Sequence, residues 1–195
     1  MRKDGSRREE LIKIATKLFM EKGYRTTSMQ DIAKQMGIQK PSLYHYISSK
    51  EDILKEIVNI TMNRLISSIE EIDRADISPV EKLERIIDSH ITLICENLEL
   101  FTVSLREINR FNAKGFWAHV VALRDKYEYH VRNILASGKK LGYFREDIDE
   151  KIIGFALLGC VNWTIRWYCP KGEKSPKEIS NQWKKLFLNG LLKNK

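Results

Sequence analysis

Two short apolar helical patterns separated by a single glycine occupy residues 26–54, and this spacing constrains the fold more than any other feature of the chain. The first pattern repeats at i, i+3, i+4 and i+7 of one helical face, at Met29, Ile32, Ala33 and Met36. Gly37 supplies the left-handed residue that ends a helix, and Pro41 suits the first turn of the next one. In that second helix Leu43, Tyr46 and Ile47 are expected to face inward.

The outer face of the second helix carries hydrogen-bonding side chains and one positive charge, from Gln39, Lys40, Ser42, Tyr44 and His45. Such a face suits the floor of a DNA major groove. The segment is therefore interpreted as a helix-turn-helix. Thr27 or Ser28 is expected to cap its first helix, and Ser48 or Ser49 to cap a long helix that begins at Lys50.

The positive charge of the chain is concentrated at its N-terminus. Residues 1–50 hold 11 Lys or Arg and 5 Asp or Glu, so they carry +6 of the total net charge of +8. A basic terminal quarter on a nearly neutral body indicates a polyanionic partner held at one end. Beside the helix-turn-helix, the charge favours DNA.

The remaining sequence predicts an all-α fold of about nine helices. No segment shows the alternation of a strand. Ser78-Pro79-Val80-Glu81 and Ser175-Pro176-Lys177-Glu178 are capping boxes that start later helices, and Asp147 or Asp149 is expected to start another. We expect a three-helix DNA-binding domain at residues 1–50 and a helical ligand-binding and dimerisation domain at 51–195.

Composition and motifs exclude several classes of protein. No apolar run reaches the length of a membrane span, and the basic start lacks the apolar stretch of a secretion signal. The three cysteines are odd in number and widely spaced, which argues against a disulfide framework or a zinc site and fits a reducing cytoplasm. There is no nucleophile elbow, zinc-protease motif or phosphate loop, so an enzyme is not expected.

An ordered series that spans forty residues, 12–51, resembles the N-terminal domain of TetR-family transcription regulators. The series comprises Ile12, Ala15, Leu18-Phe19, Lys22-Gly23-Tyr24, Thr27-Ser28, Ile32-Ala33, Gly37, Leu43-Tyr44, Tyr46 and Ser49-Lys50-Glu51. The resemblance implies a homodimer that binds double-stranded operator DNA and a small-molecule effector, and it implies neither a metal nor a bound cofactor. The last two helices of such proteins usually form the dimer.

The DNA-binding residues follow from this resemblance and from their positions. They are Thr27, Ser28, Gln39, Lys40, Ser42, Tyr44, His45, Tyr46 and Lys50. In the family the tyrosine matching Tyr44 contacts DNA, and its ring can touch a thymine methyl while its hydroxyl meets a phosphate. Thr27 and Lys50 lie at helix N-termini, where the dipole and free N–H groups attract phosphate, although simple capping is also open.

A second stretch, Leu-Gly-x-x-Asn-Trp-x-x-x-Trp-Tyr-x-Pro-x-Gly at residues 158–172, resembles a TetR subgroup that controls fatty-acid and sterol breakdown and responds to acyl-coenzyme A esters. Residues 123–128 resemble the same subgroup. Arg166 is suited to pair with a phosphate of the ligand, and Trp167 is suited to stack on its adenine. For Trp163, packing within the protein is favoured over ligand contact. The ligand-binding residues are expected to be Phe101, Leu105, Arg106, Arg110, Phe155, Leu158, Asn162, Arg166 and Trp167.

The dimer interface is expected at Gly154, Trp183, Phe187 and Leu191. Gly154 and Gly159 lie inside a helix, which indicates close approach of another helix or a ligand passage. The function predicted is a repressor released by a long-chain acyl-CoA that controls fatty-acid metabolism genes. Three alternatives stay open: a regulator sensing another hydrophobic molecule or drug, an enzyme acting on acyl-CoA, and a membrane-surface protein using its basic N-terminus.

Overall fold

The structure, a computed structural model, describes residues 2–107 and 114–192, and side chains within 6–107 and 116–192. These ranges contain nine α-helices and no strand, which confirms the all-α prediction. The helices are α1 Arg2–Lys22, α2 Met29–Gln35, α3 Lys40–Leu43, α4 Lys50–Arg74, α5 Pro79–Glu96, α6 Leu98–Glu107, α7 Lys114–Lys140, α8 Glu150–Trp167 and α9 Pro176–Leu191.

Short local signals set where several helices begin and end. Capping boxes start α2, α5 and α9 at Ser28, Ser78 and Ser175, and in each box the serine oxygen accepts a backbone N–H while an acidic residue accepts one in return. The three glycines predicted to stop helices have a positive φ, at Gly23 (87°), Gly37 (69°) and Gly142 (74°). These helix limits are therefore encoded within a few residues of the sequence.

Two predicted details differ from the structure. α3 ends at Leu43, and Tyr44, His45 and Tyr46 lie in the turn that follows it, although the Ile47 N–H still donates to the Leu43 carbonyl at 3.3 Å. Of the two candidate starts of α8, Asp149 is the cap, because its side chain accepts the N–H groups of residues 151 and 152. Asp147 instead pairs with Arg145 at 2.6 Å.

The contacts divide the chain into two compact units. Unit 1 comprises Met1–Thr61 and Glu99–Val120, and unit 2 comprises Met62–Leu98 and Val121–Lys195. The division between DNA-binding and ligand-binding functions at residue 50 stays a prediction.

Each unit has its own apolar core. In unit 1, α2 packs against α1 and α3, and the fully buried side chains include Leu11, Phe19, Ile32 and Leu43. In unit 2, α5 packs against α8 and α9 and buries Leu83, Ile86, Ile87, Ile91 and Ile94 completely. Each such side chain contributes about 1.5–3 kcal/mol of burial free energy, so α5 is the central helix of unit 2.

The end of α7 is packed closely against the segment leading to α8. Phe144 is fully buried, and its ring lies over Gly138. A Cβ atom at position 138 would lie 2.1 Å from Phe144 Cδ2, so this position has room only for glycine. The Phe144 N–H donates to the Gly138 carbonyl at 3.1 Å and fixes the same turn.

Candidate DNA-binding surface and effector unit

The start of α2 is built by Ser28 and Asp31. Ser28 Oγ accepts the Asp31 N–H at 3.1 Å, and the Asp31 carboxylate accepts the Ser28 N–H at 2.8 Å. Hydrogen bonds from the Ser28 side chain and backbone lower the pKa of Asp31. Ser28 is exposed and acts as the helix cap, and its predicted contact with DNA stays a prediction.

Thr27 does not lie where the sequence analysis expected it. The residue is only 1% exposed, and its hydroxyl donates to the Gly23 carbonyl at 2.9 Å and to the Leu18 carbonyl at 3.3 Å. Its backbone N–H donates to the Gly23 carbonyl at 3.2 Å. Both donors of Thr27 are therefore used inside unit 1, and the expected phosphate contact at this position stays a prediction.

Lys50 is also turned toward the protein. Its ammonium donates to the carbonyls of Tyr24 at 2.7 Å, Arg25 at 3.2 Å and Thr27 at 2.7 Å. The same nitrogen lies 4.6 Å from the centre of the Tyr24 ring. Burial lowers the pKa of Lys50. No pattern in the sequence predicts this arrangement.

The outward surface of α3 and the following turn has the composition predicted for it. Gln39, Lys40, Tyr44 and His45 are exposed, Tyr44 to 46%, while Ser42 and Tyr46 are half-buried. Leu43 is fully buried and anchors this segment to unit 1. The four exposed side chains present hydrogen-bond donors and acceptors, one cation and two aromatic rings. Side chains of these kinds contact base edges and phosphates.

An ion pair that the sequence analysis did not identify joins α1 to α4 behind this surface. Arg8 Nε and Nη2 donate to the Glu56 carboxylate at 3.0 and 2.7 Å, and Arg8 Nη1 donates to the Tyr46 carbonyl at 3.3 Å. The hydrogen bonds of Glu56 raise the pKa of Arg8. Such two-point pairing fixes orientation as well as distance, so Arg8 ties both helices to the turn that carries Tyr44.

A row of large apolar side chains is exposed along α8 of unit 2. We call this row the α8 stripe; it consists of Ile152, Phe155, Trp163 and Trp167, which are 65%, 51%, 61% and 47% exposed. Among the described residues Trp163 is therefore mostly exposed, and the packing expected for it is not seen there. Arg166 lies beside the stripe, and its guanidinium carbon is 5.7 Å from the centre of the Trp163 ring. On α9, Leu186 is 60% exposed.

Two residues expected at the dimer interface lie inside their own chain. Leu191 is 2% exposed. Gly154 is buried, and a Cβ there would contact Arg132 Cγ at 3.7 Å and Val131 Cγ1 at 3.8 Å, so this glycine packs against α7. Trp183 and Phe187 are half-buried, and for them the interface stays a prediction.

The predicted ligand-binding residues fall in both units. Phe101 (buried), Leu105 (half-buried) and Arg106 (exposed) belong to unit 1, whereas Phe155, Leu158, Asn162, Arg166 and Trp167 belong to unit 2. Phe155 is on the exposed α8 stripe, and Leu158 and Asn162 are half-buried. Arg110 lies outside the described residues. Their joint role in one site stays a prediction.

A buried polar cluster joins three helices of unit 2. His90 on α5 lies 3.0 Å from the Tyr127 hydroxyl on α7 through Nδ1, and 3.2 Å from Asn162 Oδ1 on α8 through Nε2. Burial lowers the pKa of His90 to about 4 and raises that of Tyr127. The cluster joins the two stretches that resemble the acyl-CoA subgroup, at Tyr127 and Asn162. His90 itself was missed by the sequence analysis.

The donor hydrogens of this cluster can be assigned from burial. Since Tyr127 is buried, its hydroxyl needs an acceptor, and His90 Nδ1 lies within hydrogen-bonding distance of it. The neutral imidazole then carries its proton on Nε2 and donates it to Asn162 Oδ1. Both ring nitrogens of His90, the Tyr127 hydroxyl and Asn162 Oδ1 each have a partner in this arrangement.

We also searched the described ranges for a metal site, disulfide bonds and a membrane-spanning helix. Within them, no three His, Cys, Asp or Glu side chains gather closely enough to hold a metal ion. The three cysteines are free, and burial raises the pKa of Cys95 to about 11. No helix among the described residues is both long and apolar enough to cross a bilayer.

Comparisons with known proteins agree with this geometry. The family description "Bacterial regulatory proteins, tetR family" matches residues 11–57, and "Tetracyclin repressor-like, C-terminal domain" matches residues 76–191. The chain is 30% identical over 186 residues to the HTH-type transcriptional repressor KstR2 of Rhodococcus jostii (strain RHA1), covering 95% of this chain and 91% of that protein.

Two further proteins are similar over nearly the whole chain. The fatty acid metabolism regulator protein of Bacillus subtilis (strain 168) is 25% identical over 93% of this chain and 94% of its own length. The solved structure of the ketosteroid transcriptional regulator KstR2 of Mycobacterium tuberculosis aligns with a TM-score of 0.91 at 26% identity, covering 96% of both chains.

Proposed function

Because the chain belongs to the TetR family of bacterial transcription regulators, we propose that it is a dimeric repressor that binds palindromic operator DNA and is released by a long-chain acyl-CoA. The family consists of transcription regulators, so the chain is a DNA-binding regulator and not an enzyme. The observation that carries the proposal is the exposed polar surface formed by Gln39, Lys40, Tyr44 and His45 on the helix-turn-helix. Because its proposed partner is operator DNA, we expect the protein to act in the cytoplasm.

The proposed dimer rests on Ile152, Phe155 and Trp163 of the α8 stripe, while Trp167 at the end of the stripe is left to the effector. Large apolar side chains in one row are unusual on the surface of a soluble monomer and are typical of an interface. Leu186 on α9 adds to the apolar surface that a second copy would cover. A two-fold dimer presents two copies of the helix-turn-helix, which requires two half-sites about 34–36 Å apart on the DNA.

The proposed effector rests on chemistry at the end of α8. Arg166 and Trp167 are both exposed, and a guanidinium with a neighbouring indole suits a phosphate and an adenine. A relative named for fatty-acid metabolism and a similar solved structure named for ketosteroids favour an apolar metabolite, and with it control of lipid-metabolism genes, over an unrelated drug. A regulator that senses another hydrophobic molecule is the second candidate.

Release requires that the effector bind the DNA-incompetent arrangement more tightly than the DNA-competent one. A hundredfold loss of DNA affinity corresponds to about 2.7 kcal/mol of coupling free energy, within the usual range for allosteric proteins. The apolar tail supplies burial, and the phosphates of coenzyme A supply charge pairing with Arg166. Free palmitate offers only the first of these and is expected to be a weak effector.

The test titrates DNA release with palmitoyl-CoA, palmitate and free coenzyme A in parallel, below the micelle range. The DNA is a duplex that the wild-type protein selects from random sequences. Only palmitoyl-CoA is expected to release it at low concentration. Arg166→Gln should weaken palmitoyl-CoA about tenfold, the value of one charge-assisted contact, without changing the response to palmitate.

Arg85→Gln serves as the matched control, because Arg85 is an exposed arginine on α5 of the same unit and lies outside both stretches that resemble the acyl-CoA subgroup. If palmitate equals palmitoyl-CoA, or if neither releases DNA, the acyl-CoA proposal is wrong. A drug-sensing regulator then becomes the leading candidate. If Arg85→Gln weakens palmitoyl-CoA as much as Arg166→Gln does, the assignment of Arg166 is wrong.

A further inference from the structure

Three residues of α8 spaced four apart lie along one line of the helix and change from apolar to charged. Leu158 and Asn162 are half-buried, and Arg166 is exposed. Each step of four residues rises about 6 Å along the helix axis, so the line spans about 12 Å. An acyl-CoA has the same order of chemistry, with an apolar tail, a linker that carries carbonyl groups, and phosphates.

The amide in the middle of this line is held in one orientation from inside unit 2. Tyr127 donates its hydroxyl hydrogen to His90 Nδ1 across 3.0 Å, and His90 Nε2 donates to Asn162 Oδ1 across 3.2 Å. His90 and Tyr127 are only 2% and 5% exposed. A flipped amide would turn its N–H toward the His90 Nε2–H, so that two donors would face each other. The hydrogen-bond chain therefore fixes Asn162 Nδ2 as well as Oδ1.

The nitrogen of the same amide is free to bind something else. Within the described residues, the side chain of Asn162 makes one hydrogen bond, which His90 donates to its oxygen. Asn162 Nδ2 is also absent from the fully enclosed polar atoms of this part of the chain that lack a partner, so solvent or a ligand can reach it. An amide that accepts a hydrogen bond at its oxygen becomes a stronger donor at its nitrogen. A donor oriented in this way suits a carbonyl oxygen.

We propose that Asn162 donates a hydrogen bond to a carbonyl oxygen in the linker of the acyl-CoA effector, between its acyl tail and its phosphates, and that His90 and Tyr127 are positioning residues for this donor. The inference rests on the proposed function, because it assigns one contact of the same effector. A ligand without a linker carbonyl would leave the Asn162 donors unpaired against its methylene groups, which lowers its affinity.

The test compares the wild type with Asn162→Leu, which has a similar volume and no donor. Dissociation constants are measured by isothermal titration calorimetry, below the micelle range, for three ligands. Palmitoyl-CoA carries every linker carbonyl, and S-hexadecyl-CoA lacks only the thioester carbonyl. The hexadecyl ester of adenosine 3′-phosphate 5′-diphosphate has no carbonyl in its chain, which is still long enough to pass Asn162 and reach Leu158 from Arg166.

We expect Asn162→Leu to bind palmitoyl-CoA about fivefold more weakly than the wild type, the value of one hydrogen bond. It should bind the carbonyl-free ester at least as tightly as the wild type does. S-hexadecyl-CoA identifies the carbonyl, because it follows palmitoyl-CoA if Asn162 meets a pantetheine amide and follows the carbonyl-free ester if Asn162 meets the thioester. Asn133→Leu, which removes another half-buried asparagine of unit 2, should leave all three affinities unchanged.

Tyr127→Phe is a second variant that keeps the volume of the core. Without the hydroxyl, His90 can carry its proton on either nitrogen and the Asn162 amide can flip. Part of the affinity for palmitoyl-CoA should therefore be lost, while that for the carbonyl-free ester is kept. An unchanged ratio of the two affinities in Tyr127→Phe would refute the positioning role.

The proposal is overturned if Asn162→Leu weakens all three ligands equally, which is the result of a packing role, or weakens none of them. These outcomes leave the proposed function intact, because the wild type still binds palmitoyl-CoA. If the wild type binds no palmitoyl-CoA, the proposed function is wrong and the inference is wrong with it.

Discussion

The buried imidazole of His90 makes the stability of the protein depend on pH in a defined window. Burial lowers the pKa of His90 from 6.5 to about 4. Between these values the unfolded chain binds a proton that the folded chain does not, so acidification favours unfolding. The difference of about 2.5 pH units corresponds to about 3 kcal/mol of unfolding free energy. The contribution of His90 is complete above pH 6.5 and is lost as the pH falls toward 4.

The measurement compares urea unfolding of the wild type and His90→Gln from pH 7 to pH 4.5, at fixed protein concentration and ionic strength. Asp31 and Glu178, whose pKa values are lowered by hydrogen bonds from serine, also lose stability in acid. Their contribution is common to both proteins and cancels in the difference. The advantage of the wild type over His90→Gln should therefore shrink as the pH falls, by up to about 3 kcal/mol.

His45→Gln is the control, because it removes an exposed histidine from unit 1. Its unfolding free energy should run parallel to that of the wild type over the whole range. Parallel curves for His90→Gln and the wild type would show that the folded and unfolded states bind the proton equally. The burial argument for the cluster of His90, Tyr127 and Asn162 would then be refuted.

Three further perturbations test other parts of the molecule. Tyr44→Ala should weaken binding to the selected duplex by about 1–3 kcal/mol in a gel-shift assay, with its unfolding free energy unchanged. The control variant Tyr129→Ala should bind as the wild type does. Equal binding by both variants would show that Tyr44 does not contact DNA. Trp163→Glu should sediment as a monomer, because it places a charge in the proposed interface, while the control Tyr129→Glu should stay dimeric. A Trp163→Glu protein that remains a dimer would show that the interface does not include Trp163. Gly138→Ala should lower the unfolding free energy by about 1–3 kcal/mol, since its Cβ meets the Phe144 ring, and a neutral result would contradict that packing.

Local patterns predicted the helical framework well because its signals lie within single turns of the chain. The serine of each capping box and the glycine at each positive φ act on residues three or four positions away. The turn after α3 was less well predicted. The apolar spacing of Leu43 and Ile47 fits a longer helix, yet the structure ends the helix at Leu43.

The contacts that were not predicted from the sequence join residues far apart in the chain or have backbone carbonyl groups as their acceptors. His90 lies 37 residues from Tyr127 and 72 from Asn162, so no periodicity connects them. The acceptors of Lys50 are carbonyl groups, which every residue carries and which leave no mark in the sequence. Phe155 has the same apolar character as the core residue Leu157, and only tertiary packing decides that one is exposed and the other buried.

The three capping boxes have a consequence for how the chain is made. Each is closed within four consecutive residues, so it can form as soon as those residues leave the ribosome. The start of α5 is thereby specified before its packing partners α8 and α9 have been synthesised, whereas α2 and α9 each begin after a partner, α1 or α5, is already made. Translation proceeds at roughly 5–20 residues per second, far slower than helix formation, which takes about a microsecond. Helix register is then settled one segment at a time during synthesis, and the search left to the finished chain is mainly for how its helices dock.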